Sequence, residues 1–181
     1  MSSITIPKPL QTLVHRARAA LATYEEQGLA SSLEESLHAW EQILESPYFE
    51  SAEPLFKEAV RNTAGVAFLQ QAERSRLDSD LQKAKLLFEK AVSESSPDSP
   101  QSTKLFANLG LVHQQRYILT GSVHALSKAI DQWEQVLDHI SDDTPDKATY
   151  LNNLVTDIEI DFTLKVTVKT FIRLSTISIR L

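Results

Sequence analysis

The chain has 181 residues, 42% of them apolar, a mean hydropathy of −0.20 and a formal net charge of −6 at pH 7. Its 24 acidic residues outnumber its 18 basic ones and no basic stripe stands out, which counts against a nucleic-acid partner, because Lys and Arg must neutralise the phosphates. The lack of Cys excludes disulfides, thiolate catalysis and Cys-based metal sites, and no run of ~18 apolar residues offers a membrane span.

With only 4 Gly and 7 Pro, most of the Pro near the ends of helical patterns, the composition points to a mostly helical protein. The start of the chain has no long apolar core of a secretory signal, so a cytoplasmic location is expected. Residues 1–9, with Pro7 and Pro9, read as an irregular lead-in. Leu10, Leu13, Val14, Ala17, Leu21 and Tyr24 then form one helical face that Gly28 ends. Ser31 or Ser32 is expected to cap a second helix, with Glu34 and Glu35 in its first turn and Pro47 closing it. Ser51 is expected to cap a long helix reaching about Arg74. The junction Arg76-Leu77-Asp78-Ser79 stands where a Gly turn would, and Ser79 or Asp80 opens the next helix. Residues 93–102, SESSPDSPQS, read as a polar loop.

Two patterns then meet across Gly121. Leu105, Phe106, Leu109, Val112 and Tyr117 mark a first helix, and Leu126, Ala129, Ile130, Trp133, Val136 and Leu137 a second. After the polar segment SDDTPD, residues 141–146, a last helix starts near Pro145 and carries Leu151, Leu154, Val155, Ile158 and Phe162.

Three of these segments align without gaps: LEESLHAWEQIL from Leu33, LQKAKLLFEKAV from Leu81 and LSKAIDQWEQVL from Leu126. Ser36, Ala84 and Ala129 share a small-residue slot. Trp40, Phe88 and Trp133 share an aromatic slot, and Ile43, Ala91 and Val136 a third. Ala17, Gly65, Gly110 and Val155 hold one slot of the preceding helices, spaced 48, 45 and 45 residues apart. A near-constant period of this size indicates stacked supersecondary units. A small residue lets a neighbouring helix approach, and an aromatic one turn later fills the groove between them.

The Ala84…Phe88…Ala91 spacing resembles the second helix of a tetratricopeptide repeat, and Phe106-x-x-Leu109-Gly110-x-x-His113 is similar to that family's first helix. The resemblance covers residues 10–165. It implies an all-α fold: a right-handed superhelical array of about three and a half helix-turn-helix repeats over residues 10–164. The period is longer than the family's usual ~34 residues. In that respect, and in the turn from Arg116 to Gly121, the chain resembles repeats found ahead of CHAT peptidase domains. The chain departs from the family at Arg61, where a large apolar residue is usual, and the fourth unit lacks a recognisable second helix.

Residues 165–181 form an atypical tail. Ile158, Ile160, Phe162, Leu164, Val166 and Val168 alternate as on a strand, yet Ile158 and Phe162 also continue the last helix in repeat register. Three alternatives are open: a helix that runs on past Phe162 into an irregular end, a strand that pairs with another chain, or a truncated final repeat. The first and third together are preferred. Such a β-prone end on an open array also allows self-association.

Catalytic chemistry finds little support. His15, His38, His113, His124 and His139 make no metal-ligand spacing, and Asp138, Asp142, Asp143 and Asp146 lack the pattern of a calcium loop. No phosphate-cradling Gly loop or nucleophile elbow occurs. The chain is therefore expected to be a non-enzymatic scaffold for a peptide or protein, with no cofactor and no metal. The resemblance places Asn62, Asn108, Asn152 and Asn153 on the concave face, with Leu111 and Gln115 nearby. Asn amides there can bond a peptide backbone as donor and as acceptor. The family's carboxylate clamp for chaperone tails is not reproduced.

Overall fold

The computed structural model describes residues 4–95, 102–141 and 143–178. These residues form helices and no strand. A short 3-10 turn, Lys8–Leu10, leads into α1 (Gln11–Gln27), α2 (Ala30–Leu44), α3 (Pro47–Glu50), α4 (Pro54–Ser75), α5 (Asp78–Glu94), α6 (Ser102–Thr120), α7 (Val123–Asp138) and α8 (Lys147–Ser178). Much of the polar loop expected over 93–102 falls outside the described residues, as do Asp142 and the last three residues.

The long helices pack on their neighbours in chain order: α1 on α2, α4 on α5, α6 on α7, then α5 on α6 and α7 on α8. Hydrogen bonds tie like to like. Gln70 of α4 donates to Glu25 of α1 at 3.2 Å, and Asn108 of α6 donates to Asn62 of α4 at 2.8 Å. Lys83 of α5 reaches Glu41 of α2 at 3.0 Å. The first helices thus adjoin one another, and so do the second helices of the first two pairs.

Two buried clusters form the interior. The larger runs from Leu10 to Val112 and contains Trp40 and Phe88, while the smaller is built on Ala107, Ala129, Trp133 and Val136. α6 serves both: Leu105, Leu109 and Val112 face the first cluster and Ala107 the second. Within each of the last two helix pairs, the aromatic side chain lies against a glycine of the preceding helix. A Cβ on Gly65 would stand 2.6 Å from Phe88 Cε1, and one on Gly110 would stand 2.8 Å from Trp133 Cε2. In the first pair, the Ser36 hydroxyl donates to the Ala17 carbonyl at 2.9 Å across the same kind of seam.

Helix ends depart from the sequence expectation in several places. Ser31 and Ser32 lie inside α2, and Glu34 and Glu35 lie beyond its first turn. Gly28 at φ 68° already ends α1, so Leu29 takes the cap position in extended backbone, and its carbonyl accepts from Ser32 and Leu33. Pro47 does not close α2 but opens α3, capped by Ser46, whose Oγ accepts from the Tyr48 amide. Ser51 ends α3 and bonds back to the Pro47 carbonyl, while Glu53 precedes Pro54 at the start of α4. α5 begins at Asp78, ahead of Ser79 and Asp80. Arg76 takes the left-handed conformation at φ 57°, a state that costs a side-chain-bearing residue roughly 1–2 kcal/mol.

At the tail the helix runs on past Phe162 as the first alternative has it, but the irregular or β-prone end expected from residue 165 does not follow. Residues 165–178 are neither irregular nor extended; they continue α8. Thr156, Thr163 and Thr167 each turn the hydroxyl back onto the carbonyl four residues earlier, at 2.8 Å. This satisfies the hydroxyls of a β-branched sequence without leaving the helix.

The glycine contacts set a first expectation. Gly110→Ala should lower stability, by up to roughly 2 kcal/mol, because overpacking a rigid, buried indole costs ~1–3 kcal/mol against a helix-propensity gain of ~1 kcal/mol. Urea unfolding checks this, and the cost should shrink in a Trp133→Phe background.

Candidate functional site

A cleft of about 520 Å³ opens on the side where α4, α6 and α8 adjoin. Asn62 and Val66 of α4, Lys104, Ala107, Asn108 and Leu111 of α6, and Thr149, Tyr150 and Asn153 of α8 line it, with Asp146 and Trp133. Nine of these eleven residues belong to first helices of the repeat, α8 counting as the fourth. They converge because α4 and α6 each bury the small slot under their own partner and leave the face beside it pointing the same way, and α8, whose slot residue Val155 is exposed, follows in the same row.

The floor of the cleft is aromatic and its edge is amide. Trp133 and Tyr150 stack with ring centroids 6.2 Å apart and planes 23° from parallel. The Asn108 amide nitrogen donates to the Asn62 carbonyl oxygen, leaving each side chain the other half of its hydrogen-bonding capacity. Burial, together with the Asp146 carboxylate, raises the Tyr150 phenol above its ordinary range, so its hydroxyl stays protonated.

Of the residues singled out from sequence, Asn62, Asn108, Leu111 and Asn153 meet in this cleft. Asn152 does not: it is solvent-exposed, one position round α8 from Asn153. Gln115 is half-buried one turn further along α6, beyond the cleft. Sequence reasoning missed Lys104, Thr149 and Tyr150. Lys104 and Thr149 stand 45 residues apart, one repeat period, and that spacing was the available signal.

Beneath the cleft lies a polar contact that the sequence did not announce. Asp157 of α8 is fully buried, and its carboxylate accepts from Trp133 Nε1 at 3.1 Å and from Gln114 Nε2 at 2.9 Å. Burial raises its pKa from the ordinary 3.8, and the two donors oppose the rise. The corresponding place after Trp40 is held by Ala67, and buried Trp40 Nε1 has no acceptor. After Phe88, which has nothing to donate, it is held by Val112.

Among the described residues, no group of three or more His, Cys, Asp or Glu is arranged to hold a metal ion, and no helix is long and apolar enough to cross a membrane. Arg61, the departure in the second unit, is buried, ion-paired with Glu94 and set over the Phe49 ring.

No family model matches the chain, and no curated protein does. Among solved structures it is similar to the DHF79 filament, with 17% identity and a TM-score of 0.41 over 92% of this chain and 87% of that one. The all-α assignment rests on the helices themselves.

Asp157 supplies a pH expectation. Its folded-state pKa lies above the unfolded value, so the folded chain holds the proton more tightly. The stability it confers is complete at low pH and is lost as pH rises through the raised value. Asp157→Asn cannot ionise, and its Oδ1 can still accept from Trp133. The parent chain should therefore lose stability relative to D157N as pH rises above the ordinary 3.8 and through the raised value. Tryptophan-monitored urea unfolding of both proteins over a pH series starting from acid checks it; stabilities that stay parallel would contradict it.

Proposed function

We propose that the chain is a non-enzymatic scaffold, a right-handed superhelical array of tetratricopeptide-like repeats that binds an extended peptide or protein segment in the cleft between α4, α6 and α8. The observation that carries this reading is the convergence of four sequence-selected residues, Asn62, Asn108, Leu111 and Asn153, with first-helix neighbours from three successive units. The chemistry suits a backbone ligand. Asn amides pair with peptide N–H and C=O groups, the Trp133–Tyr150 floor accepts an apolar side chain, and Lys104 and Asp146 offer one charge of each sign.

Panning a displayed random-peptide library against the immobilised chain tests this. Peptides enriched on the parent should bind an Asn108→Glu/Asn153→Glu variant at least roughly tenfold more weakly, a loss of about 1.4 kcal/mol. Helical circular dichroism should be unchanged. Equal binding by both proteins would remove the cleft from consideration.

A second reading, self-association, is favoured by α8. Leu151, Val155, Ile158, Phe162 and Val166 recur along this helix and are all exposed, Phe162 at 66%. Glu159 and Asp161 precede Lys165 and Lys169, so two copies of α8 packed antiparallel about Phe162 would set Glu159 of one across from Lys165 of the other. Light scattering at rising concentration should then show a dimer that Phe162→Glu converts to a monomer. A parent chain that is monomeric throughout would end this reading.

A further inference from the structure

A second cavity, of about 370 Å³, lies at the turn between α6 and α7, away from the residues of the asparagine cleft. Lys85 of α5, His113 and Arg116 of α6, and Ser122, His124 and Lys128 at the start of α7 line it. A chain with net charge −6 thus gathers three fixed cations and two imidazoles around one opening. The local carboxylates compensate them incompletely. Glu89 pairs with Lys85 at 3.1 Å, Asp78 stands 3.7 Å from Arg116, and Lys128 makes no ion pair among the described residues.

Two further observations point to a ligand. His113 is only 7% exposed, and its Nδ1 is buried without a hydrogen-bond partner where the ring borders this cavity. An unsatisfied buried nitrogen is a standing cost to the fold, and the ring that carries it borders this cavity. The cavity also receives the N-terminal end of α7, a helix of 16 residues. Ser122 caps that end by accepting from the Ala125 amide at 3.3 Å, which leaves its own hydroxyl proton to donate. The Ala125 amide is already bonded to Ser122, so the Val123 and His124 amides are the first-turn donors left over, and the helix dipole favours negative charge there.

Every one of these groups can donate to, or attract, an oxyanion. We propose that this cavity binds a phosphate monoester dianion, held by Lys85, Arg116 and Lys128, with Ser122 and the amides of α7 at one side and His113 beneath. Three cations suit a dianion better than a carboxylate, and the volume leaves room for the group that carries the phosphate. The same chemistry could come from a phosphorylated peptide or from a small phosphorylated metabolite.

His113 reports on occupancy. Desolvation, then Lys85 and Lys128, with Arg116 adding and Glu89 opposing, lower its pKa to about 4. The charged and titratable groups facing it are Lys85 and Glu89 from α5, Arg116 from its own helix, and Lys128 and His124 from α7. A bound dianion cancels the neighbouring positive charge and stabilises the imidazolium, so the His113 pKa must rise on binding.

The experiment follows the His113 ring resonances by NMR through a pH titration, with and without inorganic phosphate, at matched ionic strength in chloride. Calorimetry gives the affinity for inorganic phosphate, for a phosphoserine tripeptide and for glycerol 3-phosphate. Phosphate should raise the His113 pKa by a unit or more, and Lys85→Gln/Lys128→Gln should weaken binding by roughly tenfold or more with circular dichroism unchanged. Whichever ester binds more tightly than inorganic phosphate identifies the carrier. A His113 titration unmoved by roughly 10 mM phosphate, a shift that chloride reproduces, or equal binding by the double variant would each overturn the site.

Discussion

The contact on which the rest of the molecule depends is an aromatic ring set close against a helix backbone that has no side chain at that point. Phe88 occupies that space over Gly65, and Trp133 over Gly110. Each contact sets how closely the two helices of a pair approach, and therefore how much apolar surface they bury together. It also sets what they leave uncovered. With the small slot buried under its own partner, each of α4 and α6 turns its adjoining residues outward beside those of the next first helix, and α8, its Val155 slot exposed, completes the row. The asparagine cleft is the sum of those outward faces.

This constraint explains which parts of the fold could be read from the sequence. The second helices α2, α5 and α7 bury one face and expose the other, so their apolar stripes are clean and align without gaps. α6 meets a different cluster on each side, and its buried residues Leu105, Ala107, Leu109, Gly110, Val112 and His113 run almost around it. A helix buried on two faces loses the period that marks it, and for that reason the first helices aligned only loosely. The cleft, which is made from first helices, was correspondingly only partly legible: four of its residues were found and two were misplaced by about a turn or less.

Other misses were local. Serines close to a helix start looked like caps, but the chain turned too tightly at Gly28 and Leu29 for Ser31 or Ser32 to serve. The alternation in residues 158–168 had the period of a strand, yet a run of β-branched residues is also tolerated by a helix once its threonines bond back to the preceding turn. Period alone could not decide between them. The early packing of α8 on α7, with Asp157 clasped by Trp133 and Gln114, starts the helix that the later residues continue. Asp157 itself was invisible as a functional or structural residue, because a lone carboxylate in an acidic chain reads as solvated.

The division of the interior into two clusters has a bearing on how the molecule comes apart. The smaller one rests on four buried side chains and on the early turns of α8, and little else anchors that end. In a chain whose layers touch only their neighbours, such an end frays on its own, with an opening energy well below that of the whole. The asparagine cleft straddles the boundary, with Asn62 and Val66 on the sturdier side and Trp133, Tyr150 and Asn153 on the weaker one. Any occupant of that cleft therefore acts as a clasp, adding to the coupling that α6 alone provides between the two clusters, and its presence registers first as slowed amide exchange in α7 and α8.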